Sequence, residues 1–456
     1  MDKVPKFYPF QLTPDLTEEE RLSRYGIAVA IQPLGQTIFG PILGYLNTKI
    51  GTRKIGLISS IAYVVGNILY AILSVFPVSY RYPLLLTARF IVGACSGNVA
   101  SVRSYIASAT YVTERTSEMS IASAFQSVGF LIGPGIQAAL TPLECTDVNT
   151  NTSSYFSFDL YTSAGWVCAI LGAINFVLFL VFKEVDVSQK ERDFAKKDTT
   201  QNVQELPKPY ALGVGACLAV FFIMMFNFII VETLGTPMCI EQLGWTAEET
   251  ILRFGLLTAG MGVVLLFGFV TVGRLCKLID ERKVMIFGIL LMFLGRLSLF
   301  PIPGFPLPPM IDNSTDVSNA LRAMARNIPC DDSADQIQPG CELEWCKNIP
   351  AITIWQLFGG IIIGAIGHPY AISIAISLYS KIIGPRPQGT WMGLTLAVGG
   401  FARFLGPIFV SYIYTYYGTY LTSGLMVGST IIAIVSTTIL YKKLVPLQFE
   451  ETETQL

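Results

Sequence analysis

Six ionisable side chains sit where the surrounding sequence is too apolar to be aqueous: Arg89, Arg103, Glu232, Arg296, His368 and Arg403. Arg89 and Arg103 interrupt a run that otherwise carries no charge from Tyr82 to Thr113. An arginine at the centre of a membrane helix costs ~2.5–3.5 kcal/mol on insertion scales, so it must face protein or water. Arg103 reads as a cavity-lining cation that attracts an anion or as half of a structural salt bridge, and Arg89 sits nearer one end of its run, where it can extend to the interface. Glu232, between Val231 and Thr233, is the only acidic residue well inside an apolar span. Its protonation could be coupled to ligand or conformation, or its charge could simply neutralise an arginine. Arg403 stands four residues before Pro407, on one helical face with the carbonyls a kink would free. Arg296, five residues before Pro301, reads as packed or reaching toward the interface. His368, the only histidine, lies between Gly367 and Pro369. With an ordinary pKa of ~6.5 it is either a candidate pH sensor in an acidic compartment or a packed polar residue.

Two Gly-Pro pairs, Gly133-Pro134 and Gly406-Pro407, fall inside apolar runs and are candidate hinges, because proline removes a backbone donor in mid-helix. Cys341 and Cys346 flank Glu342 and Glu344 in a polar segment that also holds Cys330. No histidine is near, so disulfide bonding, with Cys145 as a further candidate, is expected rather than metal binding. Asn151 and Asn313 open N-x-Ser/Thr sequons.

The elements that position these residues are membrane helices. Hydrophobic residues make up 52% of the chain and charged residues 14%, and apolar runs of the length that crosses a ~30 Å hydrocarbon layer recur throughout. The expected spans are 22–46, 55–76, 83–107, 118–141, 160–182, 210–240, 250–272, 284–304, 350–379, 388–414 and 419–441. No zinc spacing, P-loop, nucleophile elbow or dinucleotide fingerprint occurs in its required context, so neither an enzyme of soluble type nor a cofactor is expected, and no nucleic-acid partner. The partners implied are the lipid bilayer and a small anion or small-molecule solute.

The chain repeats itself. Thr17-x-Glu19-Glu20-x-x-x-Arg24 recurs as Thr246-x-Glu248-Glu249-x-x-x-Arg253, each opening with a capping-box pattern, and Gly44-x-Leu46-x-x-x-Ile50 through Arg53 recurs as Gly273-x-Leu275-x-x-x-Ile279 through Arg282, both 229 residues apart. The repeat divides the chain into an N-terminal helical half (1–182), a polar linker (183–209), a C-terminal half (210–445) carrying an insertion at 305–349, and a tail (446–456). The helix at 210–240 has a first-half counterpart that would fall mostly before Met1. Eleven helices with the first missing, as in a shortened isoform or an incomplete gene model, is therefore the expectation; a natural polar N-terminus is the alternative. Loops on one side carry 18 Lys and Arg against 7 on the other, which makes the first set cytoplasmic. Both sequons and Cys145, Cys330, Cys341 and Cys346 then fall on the opposite, disulfide-permissive side.

Two six-helix halves in parallel repeat, with a basic loop after the second and eighth helices, resemble the major facilitator superfamily. Gly44, Leu46, Lys49, Gly51 and Arg53 match its loop signature, with Thr48 where the family usually has an aspartate. Arg89-x-x-x-Gly93-x-x-x-Gly97 resembles its fourth-helix motif, and Gly129 to Pro134 its fifth-helix motif. Longer strings, among them Arg103-Ser104-Tyr105, Glu114-Arg115-Thr116-Ser117, Glu232-Thr233 and Gly384-Pro385 with Pro387-Gln388-Gly389, resemble a lysosomal branch linked to late-infantile neuronal ceroid lipofuscinosis. That resemblance implies a late-endosomal and lysosomal membrane protein with chloride conductance. The expected pathway residues are Glu232, Arg103, Arg403 and Arg89. A carrier of a small organic metabolite and a non-transporting scaffold are the alternatives.

Overall fold

In lipid every backbone N–H and C=O must be satisfied within its own segment, so apolar runs of membrane length fold as helices. The computed structural model describes residues 18–140, 162–184, 210–302, 344–384 and 386–446, and these are helical, with no strand among them. In chain order the helices are α1 (Glu18–Ile50), α2 (Thr52–Ala71), α3 (Val78–Cys95), α4 (Asn98–Ala109), α5 (Arg115–Leu140), α6 (Ser163–Val181), α7 (Ala211–Leu243), α8 (Ala247–Leu278), α9 (Glu281–Ser298), α10 (Ile354–Ile383) and α11 (Gln388–Ile439). Eight stretches of the described residues are long and apolar enough to cross a membrane.

One expected span differs. The third span is interrupted at Ser96–Gly97, where α3 ends and α4 begins. The last two expected spans are two helices that meet without an intervening loop at Gly418 (φ 74°), a backbone conformation that glycine adopts without a side-chain clash, and the label α11 covers both. The capping box expected at Thr246 is present: its hydroxyl accepts from the Glu249 amide at 3.2 Å and the Glu249 carboxylate accepts from the Thr246 amide at 3.2 Å. Its repeat partner Thr17 lies outside the described residues, as do Asn151, Asn313, Cys145, Cys330 and Cys341. Cys346 is disulfide-bonded.

Close packing between helices rests on small residues, as in membrane bundles generally. Along α1 and α11, Gly40 and Gly44 face Gly393 and Gly389, and a Cβ on Gly393 would stand 2.6 Å from the Gly40 carbonyl oxygen. Antiparallel α9 and α10 close in the same way, where a Cβ on Gly295 would come within 2.6 Å of the Gly360 oxygen. Other extensive pairings are α5 with α8, α7 with α11, α2 with α6 and α1 with α3.

One end of the bundle gathers the basic loops. Arg53 ties α2 to α6: its backbone amide donates to the Glu184 carboxylate, and its guanidinium donates to the Leu180 carbonyl at 2.5 Å. At the repeat position, Asp280 caps α9 by accepting from the Arg282 amide at 2.9 Å. The side-chain hydrogen bonds from Arg282 hold the Asp280 carboxyl below its ordinary pKa. Between these corners lies a buried polar lattice. Thr116 donates to Glu281 at 2.6 Å and shares a hydrogen bond with Ser377, Lys381 pairs with Glu281 at 2.5 Å, and Arg115 donates to Ser380 at 3.3 Å. Lys381 and Glu281 side chains are 5% and 20% exposed, so removing one leaves a nearly buried charge uncompensated.

Two predictions follow from this packing. Gly393→Ala should lower the melting temperature of purified protein by about 5 °C or more, whereas Gly255→Ala, with nothing within 4 Å of its added Cβ, should leave it unchanged or slightly raised. Equal melting temperatures for the two variants would contradict the α1–α11 close approach. Glu281→Ala should remove about 3–5 kcal/mol from the state closed at the basic end. Thiol labelling of Ser377→Cys should then accelerate at least tenfold, with partial reversal in Glu281→Ala/Lys381→Ala; an unchanged rate would show that the lattice does not hold that end shut.

Candidate functional site

Helical period and small-residue packing together place one polar-edged cavity near the middle of the bundle. It is walled by Gln36 of α1, Val99 and Arg103 of α4, Ser123, Gln126 and Ser127 of α5, Phe221, Met225 and Phe228 of α7, Leu265 and Phe269 of α8, His368, Ile372 and Ile376 of α10, and Leu396, Gly399, Gly400 and Arg403 of α11. The space between these side chains, counted out to and including the open solvent at its mouth, is ≈ 700 Å³.

The cavity has a floor. On α10, Ile376 of the wall is followed at once by Ser377, Ser380 and Lys381 of the polar lattice. On α5 the wall residue Ser123 stands two turns from Thr116, and on α8 Phe269 stands one turn from Gly273, which packs on Ser117. On α1 and α11, Gln36 and Leu396 give way to the Gly40–Gly393 and Gly44–Gly389 contacts. Five helices therefore close directly beneath the cavity on the side of the basic loops.

Two guanidinium groups face this space from different helices. Arg103 donates to Gln126 Oε1 at 3.4 Å, and Arg403 donates to Gln36 Oε1 at 3.5 Å and contacts Met225 Sδ at 3.9 Å. Each partner is neutral, so these long contacts orient the arginines without cancelling their charge. The two arginines also lie within electrostatic reach of one another. Among the described residues, no carboxylate forms an ion pair with either within 4.0 Å. A site with two converging cations, amide and hydroxyl groups at its edge, and aromatic walls can hold an anion.

Glu232 is placed differently. It lies one turn beyond Phe228 and two beyond Met225 on the same face of α7, outside the cavity wall, and is exposed. Its charge is sensed by Arg403. It therefore stands at the mouth, on the side away from the floor. His368 lines the wall against the Phe228 ring, with centroids 5.2 Å apart. Arg89 is outside the wall and lies over the Tyr70 ring at 5.8 Å. The helices continue through both Gly133-Pro134 and Gly406-Pro407. Among the described residues, no group of three or more metal-ligating side chains occurs.

Sequence reasoning missed the neutral wall residues Gln36, Ser123, Gln126 and Ser127 and the floor formed by Thr116, Glu281 and Lys381. Glu114 to Ser117 stood out as a string without a role. Its partners are 165 and 261 residues away along the chain, so only the fold reveals them.

Comparison with known proteins agrees with this architecture. Residues 9–314 match the family model described as Major Facilitator Superfamily. The chain is 34% identical over 433 residues to the major facilitator superfamily domain-containing protein 8 of Xenopus laevis, covering 92% of this chain and 84% of that protein. It is 25% identical over 387 residues to the class C tetracycline resistance protein of Escherichia coli, covering 83% and 84%. Among solved structures, the human organic anion transporter MFSD10 (TETRAN) aligns with a TM-score of 0.63 at 14% identity, covering 93% of this chain and 86% of that one. FucP in its outward conformation aligns with a TM-score of 0.62 at 12% identity, covering 94% and 92%. These structures share the fold, and the family match together with the frog relative gives the conclusion: this chain is a multi-pass membrane protein belonging to the major facilitator superfamily, whose members are transporters.

Proposed function

We propose that this chain moves a small anion across the membrane through the cavity between its two helical halves, 1–182 and 210–445, joined by the 183–209 linker. The observation that carries this reading is the pair Arg103 and Arg403, two cations that face one space and whose hydrogen-bond partners are neutral, with Glu232 acting on Arg403 from the mouth without an ion pair within 4.0 Å. An anion between them would relieve their mutual repulsion, an interaction strengthened by the low-dielectric surroundings. Chloride as the solute, and the lysosomal and late-endosomal membrane as the location, rest on the resemblance of the Arg103, Glu114 to Ser117 and Glu232 strings to the lysosomal branch of the family. Glu232 at the mouth acts as a titratable gate or proton-coupling group, and the floor opens when the Thr116–Glu281–Lys381 lattice parts.

A second reading draws on the walls. Phe221, Phe228, Phe269, Ile372 and Ile376 present more apolar surface than a halide requires, which favours a carrier for an organic metabolite with an anionic head and an apolar body.

In proteoliposomes, Arg103→Ala and Arg403→Ala should each lower anion flux at least tenfold, a loss of about 1.4 kcal/mol or more, with yields of folded protein unchanged. Undiminished flux in both variants would remove the anion assignment. Glu232→Gln should flatten or displace the pH dependence of flux, and an identical pH profile would leave Glu232 a structural residue. Saturable uptake of an organic anion that chloride does not compete away would select the carrier reading.

A further inference from the structure

Beside the cavity, in the seam between α9 and α10, lies a second cationic group that the transport reading does not use. Arg296 is 4% exposed, and its Nε and Nη1 have no hydrogen-bond partner. One turn of α10 away, His368 is 6% exposed and its Nδ1 is also without a partner. Gly364 connects them. A Cβ at that position would stand 3.4 Å from Arg296 Nη1, so the guanidinium lies against the bare backbone of α10, and Gly364 and His368 share one face of that helix. Arg296 and His368 are within electrostatic reach of each other. Among the described residues, Arg296 has no carboxylate within 4.0 Å.

A guanidinium this buried needs both a counter-charge and acceptors for its N–H groups, and a bound ion is one explanation of unpaired buried donors that supplies both. Here the orphaned groups are all potential donors: arginine N–H groups and an imidazole nitrogen that donates when the proton resides on Nδ1. We propose that Arg296 and His368 form a second anion site, between α9 and α10, that holds a monovalent inorganic anion of halide size. One guanidinium charge calls for one negative charge. Gly295 and Gly360 bring the two backbones into direct contact and Gly364 packs on the guanidinium, so an anion must reach the remaining N–H groups beside these contacts, where a compact one fits better than a branched oxyanion. The site meets the central cavity only at His368, whose ring forms part of that wall. It does not depend on transport, since an anion held here would fix α9 against α10 even in a protein that moves none.

The test uses the purified full chain. Thermal unfolding in sodium chloride or bromide, compared with sodium gluconate at equal ionic strength, should show a halide-dependent rise of about 2–4 °C. In an Arg103→Ala/Arg403→Ala background, which removes the two central cations, the rise should persist, and adding Arg296→Gln should abolish it. Because the variant could also disturb packing, wild-type crystals grown in bromide provide the second readout. An anomalous peak within about 3.5 Å of Arg296 Nε or Nη1 and of His368 Nδ1 would support the site. Halide-independent melting of the wild type, or bromide density confined to the central cavity with only water beside Arg296, would overturn it.

Discussion

The structure depends on how a helical bundle holds positive charge at membrane depth. Arg103, Arg296 and Arg403 lie within helices whose other residues are largely apolar, and none has a carboxylate within 4.0 Å among the described residues. Each must therefore be accommodated by neutral dipoles, by water or by an anion. Amide oxygens of Gln36 and Gln126 accept from Arg403 and Arg103 and, being neutral, leave both charges in place. The close glycine contacts of α1 with α11 and of α9 with α10 set the positions of the helices that carry Arg403 and Arg296. Charge and packing are thus linked: the glycines fix the backbones from which Arg296 and Arg403 extend.

The polar lattice at the basic end completes this arrangement. Its members come from the start of α5, the start of α9 and the end of α10, and they meet directly below the cavity. Hydrogen-bonded and largely withdrawn from water, this lattice closes one side of the cavity, and parting it would expose every group to solvent. A single Glu281 carboxylate serves both Thr116 and Lys381, so the closure is cooperative.

Much of this was legible in the sequence. Apolar run length gave the helices, and Thr246 with Glu249 announced the start of α8, since both signals are local. Arg103 and Arg403 could be singled out because charge in an apolar run is costly whatever its surroundings. The sequence could not show that both face one cavity, nor that Glu232 stands at its mouth, because direction depends on how helices hundreds of residues apart are rotated against each other. Arg296 illustrates the limit. Its position near a helix end suggested a side chain that reaches the interface or packs, and only the approach of α9 to Gly364 shows it enclosed. Gly418 escaped notice because two adjoining apolar runs give no sign that their helices join through a single left-handed residue.

The central claim is that the cavity selects for negative charge. Its most direct test is ion selectivity of the reconstituted wild-type chain, measured with a halide-sensitive dye inside liposomes while the anion and cation gradients are set independently. The account predicts protein-dependent halide entry that follows the anion gradient, stops when gluconate replaces the halide, and ignores the identity of the cation. Halide entry no faster than in protein-free liposomes, or movement that follows the cation gradient instead, would contradict it.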